Sequence, residues 1–352
     1  MLSRRSIVRT ILGLAISAAA IWILVNSVNV PRALDVLYRA EPGWIALMLG
    51  TVFLDVAARA ARWQTLLQPI KGIAYWRVLG YTYLGYLANN ILPARLGELV
   101  RSHALGEREG VSRPTVLGTV VVERIVDTVI VVALAASAVL LLGISGVLSA
   151  AVALGAGFVG VLIVGLAVAT VSDRLPGARR IGRIAASYPR VLEPARRLRE
   201  GLSVASRPAT VGRALALSAL AWTASIATFV AGGQAVGIEM SPIQAALLAS
   251  GVALATIVPS APGYVGTFEL TAVNIARTVG ADPDAAFAMA LLVHAMILAV
   301  TSIGGLIAVF RLGVGPGGRP SGGQAGAAAG LMSDSIGAGS VAGGASKDAG
   351  ES

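Results

Sequence analysis

Residues 114–142 read PTVLGTVVVERIVDTVIVVALAASAVLLL, apolar from end to end except for Glu123-Arg124 and Asp127. A helix needs about 20 apolar residues to cross a hydrocarbon core of about 30 Å, and this stretch has them to spare. Counted from Pro114 at 1.5 Å per residue, Glu123 lies roughly 14 Å deep and Asp127 roughly 20 Å, so the two bracket the midplane. Glu123 and Asp127, spaced i and i+4, share a face, and Arg124 can reach Asp127 at i+3. Ionisable groups inside a bilayer are costly and are candidates for function by default. The competing reading is a structural salt bridge that locks two helices together. Two acids to one base leave a carboxylate in need of a proton, a cation or a second arginine, and Arg95 or Arg101 could supply the last.

The rest of the chain belongs in the same membrane. Of its 352 residues, 56% are hydrophobic and 13% charged, and mean hydropathy is +0.78. Soluble domains carry roughly 25% charged residues, so too few polar side chains remain here to cover a water-facing globule. A soluble enzyme is excluded. The net charge of +10 would suggest nucleic acid in a soluble protein. Here it is assigned to cytoplasmic loops beside anionic lipid, and no nucleic-acid partner is expected. The absence of cysteine removes disulfides and thiolate sites. With His103 and His294 the only histidines, no metal site and no cofactor are expected.

Six segments are long enough to span: about Val8–Val28, Pro42–Leu66, Pro114–Leu142, Val147–Val171, Val211–Val236 and Ala285–Phe310. Two shorter apolar runs, Leu79–Leu92 and Ala245–Val258, stop at a proline, and each is followed by a more polar arm, Pro93–Leu105 and Gly263–Val279. The expected fold is therefore an all-α polytopic membrane protein of six spans plus two re-entrant helical hairpins. Eight full spans are the alternative. Arg4, Arg5 and Arg9, then Arg95 to Arg113, then the arginines between Asp173 and Arg213 fall on one side. The positive-inside rule makes that side, with both termini, cytoplasmic. The expected location is the cell (plasma or inner) membrane.

The transmembrane domain is expected over 1–311. Within it, 173–213 forms a basic cytoplasmic loop whose apolar residues recur at helical spacing, as in helices lying on anionic headgroups. The Gly/Ala/Ser-rich stretch 312–352 is expected to be a disordered tail. Divided near residue 145, the chain reads span, span, hairpin, span twice over with opposite sidedness, an inverted repeat of the kind found in secondary transporters. The elbows match as well. Pro93-Ala94-Arg95-Leu96-Gly97-Glu98 and Pro262-Gly263-Tyr264-Val265-Gly266-Thr267-Phe268-Glu269 both run Pro-x-x-x-Gly and then an acid. Proline stops the arm, glycine allows a tight elbow, and the acid opens the returning helix.

Candidate headgroup-binding or translocation residues are Arg95, Glu98, Arg101, Glu123, Arg124, Asp127 and Glu269, with Pro93, Gly97, Pro262, Gly263 and Gly266 as elbow residues. Asp55, Arg59, Arg62 and His294 are secondary candidates. Arg62-Trp63 reads as an interfacial pair and His294 as a packed, hydrogen-bonded histidine. No phosphate-binding loop, serine-hydrolase elbow or zinc-peptidase string occurs.

Arg-x-x-Arg-Trp at Arg59–Trp63, Leu-Pro-x-Arg-x-Gly-Glu at Leu92–Glu98, Glu-Arg-x-x-Asp at Glu123–Asp127 and Pro-Gly-Tyr-Val-Gly at Pro262–Gly266, in that order, resemble the lysylphosphatidylglycerol synthase transmembrane region, or flippase-like domain. The resemblance covers roughly residues 8–311. It implies a lipid translocator that moves a phospholipid or lipid-linked headgroup between leaflets without ATP hydrolysis, and so not an enzyme. Nothing after Phe310 has the pattern of an aminoacyl-transferase domain, so synthesis of lysyl-phosphatidylglycerol is not expected. Membrane lipids are the expected partners, with envelope lipid-biosynthesis proteins as candidates. The alternatives are a non-transporting scaffold or accessory subunit of envelope lipid synthesis and an intramembrane lipid-modifying enzyme.

Overall fold

A computed structural model describes residues 4–92, 96–171, 189–256 and 260–313. Pro93 and Arg95, the loop up to residue 188 and the tail from residue 314 lie outside the described residues. Everything described is helix or connection: α1 (Arg4–Ser27), α2 (Val30–Tyr38), α3 (Pro42–Leu67), α4 (Tyr75–Ile91), α5 (Gly97–Glu109), α6 (Arg113–Leu141), α7 (Val147–Val171), α8 (Pro189–Leu202), α9 (Pro208–Ala235), α10 (Pro242–Ala255), α11 (Thr267–Thr278) and α12 (Pro283–Leu312). Local chemistry sets many of the starts. Asn29, Ser112, Ser241 and Asp282 each cap a helix whose first turn holds a proline. The side-chain oxygen satisfies an orphan amide, and proline has no amide to orphan.

Each of the six expected spans is a helix. By length and composition α3, α6, α9 and α12 qualify among the described residues, and the described part of α1 with α2 adds a fifth if counted as one bent span. The bend between them is 86°, so α2 turns across the bundle. This short helix is absent from the sequence reading.

The two hairpins form as expected. Tyr81 OH donates to Glu109 Oε1 at 2.9 Å, Lys71 Nζ donates to the Glu109 carbonyl, and Gly97 N donates to Asn89 Oδ1 at 2.8 Å. Rising numbers on α4 meet falling numbers on α5, so the arms are antiparallel. On the other hairpin Gly251 lies against Ile275, and Gln244 shares a pocket with Val279. The four arms have 17, 13, 14 and 12 residues. At 1.5 Å per residue they reach about 26, 20, 21 and 18 Å, all short of a 30 Å core.

The halves are related as an inverted repeat. α3 and α9, the second span of each half, run antiparallel: Glu41 N donates to Ala235 O at 2.9 Å, Thr51 bonds Thr228, and Arg62 bonds Ser218. Packing between halves is reciprocal. Hairpin arm α4 lies on α12 while α10 lies on α6, and the short helix α2 lies on α12 while α8 lies on α6. Small residues make these approaches close, as helix association in lipid requires: Gly304 and Gly305 face Tyr83 and Leu87, and Gly232 faces Val293. The second elbow approaches the end of α4, where a Cβ built on Gly263 would lie 3.7 Å from Asn90 O.

Candidate functional site

Between the elbows, and walled by α3, α6, α9 and α12, lies a cavity of about 380 Å³. Its apolar wall comes mainly from α9 and α10 (Phe229, Ala249, Val252) and its polar wall from Asp55, Arg59, Glu98, Arg124, Asp127 and His294.

The polar wall is the open edge of a buried ion network. Arg62 is fully buried. It donates to Asp127 Oδ1 at 2.5 Å and Oδ2 at 2.9 Å, to Glu123 Oε1 at 3.0 Å and to Ser218 at 2.8 Å. Arg101 holds the other oxygen of Glu123 at 3.0 Å and stacks over Trp63, 4.3 Å from the ring centroid. Arg59 donates to Asp55 at 2.9 Å, reaches Asp127 at 3.4 Å and lies over Trp222. Trp222 Nε1 and Ser225 Oγ complete the shell, donating to Asp127 and Asp55 at 3.2 and 3.0 Å. Arg124 reaches Glu98 at 3.1 Å. Asp55, Glu98, Glu123 and Asp127 thus face Arg59, Arg62, Arg101 and Arg124, equal numbers of each sign. Charges this deep persist only when paired and hydrogen-bonded.

Two sequence readings are corrected here. Arg124, within i+3 reach of Asp127, pairs instead with Glu98 on the hairpin at 3.1 Å and lies 4.0 Å from Glu123, while Asp127 is held by Arg59 and Arg62 from α3. Arg62-Trp63 is not an interfacial pair: both are sealed in the interior, with Trp63 Nε1 donating to Thr119 at 3.2 Å. Helix spacing gives intrahelical reach, but it does not show which neighbouring helix offers the better partner.

The structure brings Asp55, Arg59, Arg62, Arg101, Glu123 and Asp127 into one cluster, and Glu98 with Arg124 at its mouth. Glu269 and His294 form a separate pair at 2.6 Å, and His294 lines the cavity. Gly97, Pro262, Gly263 and Gly266 sit at the elbows, and Gly263 and Gly266 take positive φ. Sequence reasoning missed Ser218, Trp222 and Ser225. Their i, i+4, i+7 spacing repeats that of Asp55, Arg59 and Arg62 on the partner helix. A tryptophan deep in a span, away from the aromatic belt, was the available signal.

An antiparallel pair of hairpins meeting at a charge-lined cavity defines the class, a polytopic helical membrane protein built as an inverted repeat around a central polar site. Within that class, the chain belongs to the family described as the lysylphosphatidylglycerol synthase TM region, which it matches over residues 10–305. It is also similar to Glycosyltransferase AglD of Haloferax volcanii, 29% identical over 329 residues, covering 80% of this chain and 53% of that protein. The chain thus spans about half the length of the curated relative it matches. That relative corrects the expectation that the chain is not an enzyme, since a protein named a glycosyltransferase matches 80% of this chain. The strings searched for describe phosphate loops, serine hydrolases and zinc peptidases. A site made of carboxylates and arginines inside a membrane carries none of them.

Proposed function

We propose that the cavity receives the phosphate-bearing headgroup of a membrane lipid or lipid-linked sugar and passes it between leaflets while the hydrocarbon chains stay in the bilayer. The observation that carries this is the Arg124–Glu98 pair. Every other arginine of the network is at least four-fifths buried, whereas Arg124 is 48% exposed and Glu98 26%, both at the cavity. A guanidinium is a bidentate donor suited to phosphate, and Glu98 can release it to do so. The hairpins, entering from opposite faces, give the headgroup a way in from either leaflet. The cytoplasmic termini and cell-membrane location are part of the same proposal.

Vesicles holding the full chain and headgroup-labelled lipids test it. We expect transbilayer movement of at least one phosphate-bearing lipid, slowed about tenfold or more by R124Q, the loss of a charge-assisted contact. Movement equal to protein-free vesicles for all lipids tested, with the protein intact, sinks the reading. A second reading, chemistry on a lipid-linked sugar, is favoured by the name of the relative. Covalent change in lipids extracted from the same vesicles would mark it.

A further inference from the structure

Glu269 and His294 stand apart from the ion network. The two side chains are 7% and 5% exposed. His294 Nδ1 lies 2.6 Å from Glu269 Oε1, and Gly266 N donates to Glu269 Oε2 at 2.7 Å, tying the pair to the elbow. The imidazole is clamped against the Phe268 ring, with centroids 4.2 Å apart and planes 12° apart. No described residue hydrogen bonds the other ring nitrogen. Among the described side chains the one sealed and unpartnered polar atom is Arg62 Nε, so Nε2 of His294 opens onto space. The space His294 borders is the cavity.

The chemistry of that nitrogen depends on a proton. With Glu269 ionised and the imidazole neutral, Nδ1–H donates to the carboxylate and Nε2 is left as an acceptor. A phosphate oxygen, also an acceptor, gains nothing there. Adding a proton makes Nε2 a donor aimed into the cavity and takes the pair from one negative charge to none. The other ionisable groups known to face this space are Asp55, Arg59, Glu98, Arg124 and Asp127, each paired within the ion network that Arg62, Arg101 and Glu123 complete behind them, and the phenols of Tyr86 and Tyr264. From α9 and α10 come none, and the Arg32–Asp284 pair between α2 and α12 lies about 15 Å along the helix from His294. An anionic headgroup therefore adds a negative charge to a network already balanced, and among the described residues this pair is placed to offset it by taking up a proton.

We propose that Glu269 and His294 form a proton-binding site that takes up one proton when an anionic phosphate headgroup enters the cavity, with His294 Nε2–H donating to the phosphate. Glu269 is a positioning residue that fixes the ring. The proposal rests on the headgroup reading above and adds the proton as its co-ligand.

Titration calorimetry on the full chain in phosphatidylcholine nanodiscs, from about pH 5.5 to 8, would use short-chain phosphatidylglycerol in one arm and a polyprenyl phosphate in the other. We expect affinity for one of them to fall as the pH rises across this range, toward about tenfold per pH unit, the signature of one proton taken up on binding. H294Q should bind more weakly at low pH and lose that slope. The arm that responds separates a phospholipid from a lipid-linked carrier. Binding with no pH dependence, or with the same slope in H294Q, overturns the proton site and leaves the headgroup reading standing. No binding at any pH in either arm overturns both. If H294Q does not fold, nitrogen NMR of the wild-type imidazoles decides. The chain has two histidines, and H103Q assigns the exposed one. Bound lipid must convert His294 to the doubly protonated form, and an unchanged His294 signal refutes the proposal.

Discussion

At the scale of single residues, depth in the membrane and freedom to move are opposed. Asp127 receives two contacts from Arg62, one from Arg59 and one from Trp222. Replacing it by Asn would leave Arg62 buried with one acid partner. Breaking a buried pair from one side costs about 3–5 kcal/mol, so D127N should unfold at clearly lower temperature in detergent than wild type. Glu98 and Arg124 are partly open, and exposed pairs are worth about 0–1 kcal/mol. The double variant E98Q/R124Q should melt within a few degrees of wild type and still fail to move lipid. A D127N variant as stable as wild type would show that the network is not the lock its geometry describes. A double variant that transports normally would remove Arg124 from the proposed site.

At the scale of the elements, the hairpins depend on backbone approach. Gly97 sits so close to Gly85 O and the Asn89 amide that an added Cβ collides with both. Backbone atoms cannot rotate away as a long side chain can, and overpacking of this kind costs typically 1–3 kcal/mol. G97A should therefore spread α4 from α5, pull Arg101 away from Glu123 and lower both thermal stability and transport. A G97A protein with wild-type melting would mean that the elbow is softer than the close approach implies. The helix α8 docks by the same device. Gly201 lies against Thr115 O and Gly118 of α6, and Thr115 Oγ1 donates to Glu200 at 3.1 Å. The loop expected to rest on headgroups is thus anchored at this end by protein contact.

Over the whole molecule, the inverted repeat brings one local pattern from each half to a single site. The base of the first hairpin, near Ser112, and that of the second, near Ser241, lie at opposite ends of the bundle if the elbows meet in the middle. Without native cysteine, single cysteines at these positions can be labelled free of background. Ser112 should react from one aqueous side and Ser241 from the other, Ser112 from the cytoplasm under the proposed orientation. Labelling of both from one side would contradict the inverted arrangement.

The helical class, the six long helices, the two broken arms and the family were legible in the chain itself. Run lengths, prolines, glycines and arginine placement are local properties, and a bilayer punishes any local misreading severely. All eight network residues, Glu98, Arg101, Glu123, Arg124 and Asp127 together with Asp55, Arg59 and Arg62, could be singled out because a charge in an apolar run is conspicuous in one dimension. Their pairing could not. Whether Asp127 meets Arg124 on its own helix or Arg62 on α3 depends on which helices touch and at what rotation, and that is settled by packing between segments far apart in sequence. For the same reason Ser218, Trp222 and Ser225 looked like ordinary span residues, and Glu269 and His294 could not be joined across 25 positions. Sequence determined which residues the membrane must accommodate; the tertiary structure alone decided which of them share a bond, because burial and partner choice arise only when the halves close on each other.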